Sequence, residues 1–182
     1  AEERGLTMVP PFDHPDIVAG QGTVGLEILK DCPELSRVLV PVGGGGLVAG
    51  VATAVKSVRP DVAVVGVEPS GAPKMSESLA VGYPVTLAQV SSIADGLIPV
   101  RPGDLTFAHV RRYVDEVVTV DDASIAAATR WYADRAKLVV ETSGAVTLAA
   151  LQSGIVPTGE GVTVAVVSGG NVSLDTLHSL PD

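Results

Sequence analysis

Two stretches of this sequence carry residues whose types and spacing could do chemistry. The first is Gly43, Gly44, Gly45, Gly46 and Leu47. Consecutive glycines strip every Cβ from a turn, so neighbouring backbone amides can converge on one spot. If a helix starts there, the positive end of its dipole points at the same place, which suits a phosphate or another dianion. A flexible surface loop is the plainer reading. Glycine runs in linkers, however, sit among Ser and Pro, whereas this one sits between apolar segments. The second stretch is Ser168, Gly169, Gly170 and Asn171, another glycine turn, opened by a hydroxyl.

Other reactive side chains offer less. Cys32 is the single cysteine. It cannot form an intrachain disulfide, and no base stands near it in sequence to activate a thiol; this fits a reducing, cytoplasmic compartment. His14 lies among Pro10, Pro11 and Pro15 with no second histidine close by, so it reads as a loop-packing residue, because metal sites want clustered ligands. Gly20, Gly22 and Gly25 have Gly-x-Gly-x-x-Gly spacing, but no strand leads into them, so helix packing is the simpler use.

The elements that must position the two turns follow from periodicity. Residues 37–42 form an apolar, β-branched run that reads as a buried strand, and residues 47–56 read as a helix. A further strand over 61–67 closes on Glu68 and Pro69 and completes a right-handed strand–helix–strand unit. Residues 6–9 read as a short strand. Helices are expected over 17–30, 74–81, 104–113, 122 to about 137 (capped by Asp121 and Asp122) and, following Thr142-Ser143-Gly144-Ala145, up to 153. In the helix after Asp122, Ile125, Ala128, Trp131 and Tyr132 are spaced for burial. Strands are expected over 116–120 and 162–167, with an irregular stretch over 84–99. Residues 1–5 read as the tail of a helix stopped by Gly5.

Composition agrees with this alternation. Of 182 residues, 46% are hydrophobic but only 3% aromatic, so the core is built from Val, Ala, Leu and Ile, as in buried parallel strands under close-packed helices. The formal net charge of −9 would be repelled by nucleic acid or an anionic membrane. No run of about 18 apolar residues exists to span a bilayer, and no signal peptide is visible.

Two readings of the glycine turns compete. Gly44-x-Gly46-x-x-Ala49 after a strand, with Glu68 closing the next strand, matches an NAD-type dinucleotide-binding pattern. That pattern leaves the turn at Ser168 without a purpose. Taken together, an all-amide cup wants a phosphate and a hydroxyl at the other strand end wants a neutral ring acceptor. One ligand with a phosphate at one end and a pyridine nitrogen at the other satisfies both, namely pyridoxal 5'-phosphate.

The ordered phrases Pro11-Phe12-Asp13, Ala19-Gly20-Gln21-Gly22-Thr23, Pro41-Val42-Gly43-Gly44-Gly45-Gly46-Leu47, Gly66-Val67-Glu68-Pro69, Ile93-Ala94-Asp95-Gly96, Glu141-Thr142-Ser143-Gly144-Ala145 and Ser168-Gly169-Gly170-Asn171 span nearly the whole chain. In these the sequence resembles the carboxyl-terminal part of the serine/threonine dehydratase family, the fold type II (tryptophan synthase β-like) pyridoxal phosphate enzymes, to which serine racemase is related. The resemblance implies an α/β fold with a twisted, mainly parallel sheet and helices on both faces, residues 1–182 forming a single domain of a longer enzyme. It implies that Gly43, Gly44, Gly45, Gly46 and Leu47 hold the cofactor phosphate, that Ser168 meets the pyridine nitrogen, and that Gly96 and Glu141 lie beside the ring. For Glu141, a helix N-terminal acid is the competing reading.

The family's Schiff-base lysine lies in its amino-terminal half in a Ser-x-Lys context. This chain has only Lys30, Lys56, Lys74 and Lys137, none in that context. The resemblance therefore implies a fragment that lacks the catalytic lysine and is inactive alone. In serine racemase-like members a metal sits where Glu68, Ala72 and Lys74 stand here. Lys74 in the third position sets the expectation of no metal, with its ammonium either paired with Glu68 or simply turned to solvent. The expected parent enzyme removes water from L-threonine or L-serine, giving a 2-oxo acid and ammonia. Racemisation, or elimination from another hydroxy-amino acid, is the near alternative, and a dinucleotide-binding domain or a non-catalytic association module the distant ones. The expected partners are a small amino-acid substrate and either a second copy, as a homo-oligomer, or the missing half.

Overall fold

The computed structural model of the protein describes residues 4–180. In chain order the elements are α1 (Pro15–Asp31), β1 (Leu35–Pro41), α2 (Gly46–Val58), β2 (Ala63–Pro69), α3 (Lys74–Val81), α4 (Asp104–Tyr113), β3 (Glu116–Val120), α5 (Asp122–Trp131), α6 (Thr142–Gln152), β4 (Val162–Ala165) and α7 (Leu174–His178). A 3-10 turn at Asp95–Leu97 and a π turn at Tyr132–Ala136 interrupt the connections. All strand pairings are parallel, and the strand order is β3-β2-β1-β4.

Alternation along the central strands divides the core in two. Val38, Val40 and Val64 face one layer with Val48, Val51 and Val55 of α2 and with Phe107 and Val110 of α4. Leu39, Val65 and Val67 face the other with Ile125 and Ala128 of α5 and with Ala145, Val146 and Ala149 of α6. Helices thus cover both faces, as residue composition implies. Each fully buried Val contributes on the order of 1.5–3 kcal/mol, so the strand ends that carry the turns are firmly anchored.

α1 and α2 cross at very close range. A Cβ on Gly50 would overlap the Val18 carbonyl and lie 2.6 Å from the Gly22 amide, and one on Gly25 would lie 2.9 Å from the Val51 carbonyl. Gly22 and Gly25 therefore serve helix packing.

Several sequence expectations need correction. Residues 6–9 are not a strand; they pair with no neighbour among the described residues, and Leu6, Met8 and Val9 are exposed. β4 stops at Ala165, although the Val166 amide still donates to Leu39 O at 3.0 Å. The helix after Asp122 gives way to the π turn and ends at Lys137 with φ 58°. Trp131 is 42% exposed, because Ile125, Ala128 and Tyr132 already fill the buried face. Gly5 has φ 60°, as a helix stop requires, while residues 1–3 of that expected tail lie outside the described residues.

Candidate active site

β1 leads to β2 on one side and has β4 on the other, so the sheet changes direction between β1 and β4. In open parallel sheets, ligands settle at the carboxyl ends of strands beside such a switch. Both glycine turns leave the sheet there, the first after β1 and the second after β4.

The first turn forms a cup. Gly44, Gly45 and Gly46 are buried, Gly45 adopts φ 99°, and α2 begins at Gly46. Among the described residues, the amides of Gly43, Gly44, Gly45, Gly46 and Leu47 donate to no protein group, whereas Val42 N is taken by Val67 O at 2.8 Å. A row of unpartnered amides at a buried helix N-terminus calls for an external acceptor. The cup opens into a cavity of about 470 Å³ lined by Phe12, Gln21, the glycines, Leu47 and Gly96. On these observations the residues present fit a phosphate monoester.

The cup is held from behind by residues far away in sequence. Thr106 Oγ1 donates to Gly44 O at 2.7 Å. The Asp13 carboxylate accepts from the amides of Asp104, Leu105 and Thr106 at 3.0–3.2 Å, capping α4, while the Phe12 ring stands against Gly44. Pro11-Phe12-Asp13 was legible as a phrase, but these roles were not; a cap ninety residues distant leaves no local signal.

Gly96 meets the cup directly, since a Cβ on Gly43 would lie 3.0 Å from Gly96 O. Gly96 N donates to Ser143 Oγ at 2.9 Å, in the first turn of α6. Glu141 occupies the N-cap position of α6 but makes no cap bond with its side chain. Its carboxylate turns instead to the second glycine turn and accepts from Asn171 N at 2.9 Å, while its own amide donates to Gly169 O at 3.1 Å. Glu141 is thus both the residue before the helix and a clasp on the turn. Ser168 precedes that clasp, is exposed, and its hydroxyl has no hydrogen-bond partner among the described residues. Gly43, Gly96, Ser143, Glu141 and Gly169 therefore form one continuous strip along the sheet's carboxyl edge, with Ser168 at its end.

Glu68 does not present an acid to a ribose, which removes the feature the dinucleotide reading needed. It is wholly buried: Oε1 accepts from Ser76 N at 2.8 Å and Oε2 from Met75 N at 3.1 Å. Lys74 Nζ lies 3.2 Å from Oε2, so the expected ammonium–carboxylate pair is present, and Lys74 does not point to solvent. Burial lowers the Lys74 pKa and the Glu68 charge opposes that shift. The Val42, Ala72 and Leu97 carbonyl oxygens accept from Nζ and, with Glu68 Oε2, favour the ammonium form. Among the described residues no group of three or more His, Cys, Asp or Glu is placed to hold a metal.

None of the four lysines lines the cup cavity. Lys56 pairs with Asp115 at 2.8 Å, Lys137 Nζ donates to Asp134 O at 2.7 Å, and Lys30 lies exposed in the last turn of α1. A second groove of about 430 Å³ runs between α1, α2 and α4; its lining is mainly apolar, with Thr23, Thr53, Ser57 and His109 as its polar side chains. No helix among the described residues is long and apolar enough to cross a membrane.

Comparison with known proteins finds relatives along nearly the whole chain. An L-threonine ammonia-lyase of Geobacter sulfurreducens is 47% identical over 176 residues, covering 97% of this chain and 44% of that protein. The processed form of threonine deaminase isoform 2 from Solanum lycopersicum superposes with a TM-score of 0.92 at 39% identity, covering 98% of this chain and 53% of that one. Maize serine racemase superposes with a TM-score of 0.89 at 41% identity, covering 97% and 55%. The chain spans less than half the length of the curated ammonia-lyase it matches. The parallel sheet with helices on both faces is the fold type II arrangement that the sequence resemblance implied. A family model described as pyridoxal-phosphate dependent enzyme matches residues 1–169, and the chain belongs to that family.

Proposed function

We propose that the whole protein is a pyridoxal phosphate-dependent ammonia-lyase acting on L-threonine or L-serine, and that this chain supplies its cofactor-phosphate site and one wall of its active site. The observation that carries this is the cup of five unpartnered amides at the switch point, next to Gly96. When bound, the cofactor supplies an electron sink that eases loss of the α-proton and the β-hydroxyl, leaving a 2-oxo acid and ammonia.

The residues of the chain bind and orient. Gly43 to Gly46 and Leu47 donate to the phosphate. Ser168 offers its hydroxyl to the ring nitrogen; a neutral partner there favours elimination over reactions that need a long-lived carbanion. Gly96 lets the backbone approach one face, and Glu141 holds the second turn in register through Asn171. No lysine of the chain reaches the cup, so the chain alone is inactive and a lysine from elsewhere in the protein must serve as covalent anchor and base.

The exposed apolar residues Leu6, Met8, Val9, Leu138 and Val139 support burial against a second copy or the rest of the protein, and the lone cysteine fits a cytoplasmic setting.

The test has two arms. The chain should bind pyridoxal phosphate saturably, read by broadening of its phosphorus resonance, and should not bind NAD. The whole protein should release ammonia from L-threonine or L-serine. Production of D-serine without ammonia would favour racemisation, and failure of the chain to bind the cofactor or phosphate would sink the site assignment.

A further inference from the structure

Lys74 and Glu68 are the only charged side chains among the fully buried residues described. The surroundings of the ammonium explain its position better than the ion pair alone does. Lys74 Nζ donates to Val42 O at 2.9 Å, to Leu97 O at 2.9 Å and to Ala72 O at 3.2 Å, besides facing Glu68. Val42 is the residue before Gly43, and Leu97 is the residue after Gly96. One buried cation therefore joins the two segments that bring Gly43 and Gly96 together. Glu68, held by the amides of Met75 and Ser76, fixes that cation to the start of α3.

The link is electrostatic as well as geometric. Val42 C=O and Gly43 N–H belong to one peptide group. A cation on the carbonyl polarises that group and strengthens Gly43 N–H as a donor toward an anion in the cup. Leaving either buried charge unpaired would be strongly unfavourable, which explains why both are present.

We propose that Lys74 is a positioning residue for the phosphate cup: its buried ammonium ties the carbonyl before Gly43 to the carbonyl after Gly96 and polarises the first amide of the cup. This rests on reading Gly43 to Leu47 as the phosphate site.

The experiment is amide NMR of the nitrogen-15-labelled chain during titration with inorganic phosphate, pyridoxal phosphate and, separately, pyridoxal. In the wild-type chain, phosphate and pyridoxal phosphate should shift the Gly43 to Leu47 amides saturably. In Lys74→Met, which keeps length but removes charge, both should bind about tenfold more weakly, the loss of one charge-assisted contact, while pyridoxal is unaffected. Folded Lys74→Met protein that binds phosphate within about twofold of wild type overturns the proposal. If phosphate leaves the wild-type cup amides unmoved, the phosphate reading itself falls, in an arm that involves no variant. Should Lys74→Met fail to fold, the wild-type lysine side-chain spectrum decides. The Lys74 Nζ resonance should move with the cup amides at the same half-saturation, and a Lys74 signal that stays still while they shift overturns the proposal.

Discussion

The ring of Phe12 stands where a side chain on Gly44 would have to go. The two residues lie on different segments, and their contact sets the back wall of the cup. Gly44→Ala would drive a methyl into that ring. Overpacking of this kind should destabilise the fold by about 1–3 kcal/mol, and it should weaken phosphate binding because the cup amides shift. Phe12→Ala in the Gly44→Ala background should recover part of both losses. Denaturant unfolding and phosphate titration across the double-mutant cycle would show no coupling if the contact were incidental.

Thr106 supplies the other support, through its hydroxyl to Gly44 O. Thr106→Val keeps the shape and removes the donor. Gly44 O retains the Gly103 amide at 3.2 Å, so the expected cost is about 1 kcal/mol, at the lower end for a buried hydrogen bond. Thr106→Ser should restore it. Equal stability of Val and Ser variants in urea would show that the hydroxyl contributes nothing.

Gly50 separates packing from binding. A side chain there would collide with the α1 backbone at the Val18 carbonyl and the Gly22 amide, whereas the cup amides end at Leu47, nearly one helical turn earlier. Gly50→Ala should lower the melting temperature, with an overpacking cost of about 1–3 kcal/mol. Phosphate affinity measured on the folded variant should stay near the wild-type value. A large affinity loss at unchanged stability would mean that the α1–α2 crossing reaches into the site.

Acid should loosen α5. The Asp121 carboxylate accepts from Ser124 N at 2.7 Å, and that bond holds its pKa below the ordinary 3.8. A depressed carboxylate stabilises the fold above its unfolded value, and the contribution is lost as pH falls through the folded value, so the window lies below 3.8. Asp121→Ala should cost about 1 kcal/mol at neutral pH, as loss of an N-cap does. Asp121→Asn should keep most of the cap and remove its acid dependence. Unfolding curves of the three proteins from pH 7 downward would refute this if wild type and Asp121→Asn lost stability in parallel at every pH.

Much of the architecture was legible because it follows from neighbours in sequence. α3, α4 and β3 lie where periodicity places them, since each has an apolar face, a clear start and a clear stop. Residues 6–9 misled because an apolar extended run makes a strand only if a partner edge receives it. Trp131 misled because two residues competed for one buried face and Tyr132 took it. For the site, the glycine turns could be read from residue types, whereas residue types left Lys74 open between Glu68 and solvent. That the same lysine reaches Val42 and Leu97 could not be read from them.

Consecutive residues were enough to place a glycine turn between a strand and a helix, ready for an anion, because strand and helix periods and bare amides are local properties. Tertiary structure alone decided what holds that turn in shape. Asp13 caps a helix more than ninety residues away, Thr106 reaches Gly44, and Lys74 spans from Val42 to Leu97. These contacts join residues whose proximity comes from strand order and helix packing. No local pattern encodes them, and a buried charge is tolerated only where that packing brings enough oxygens around it.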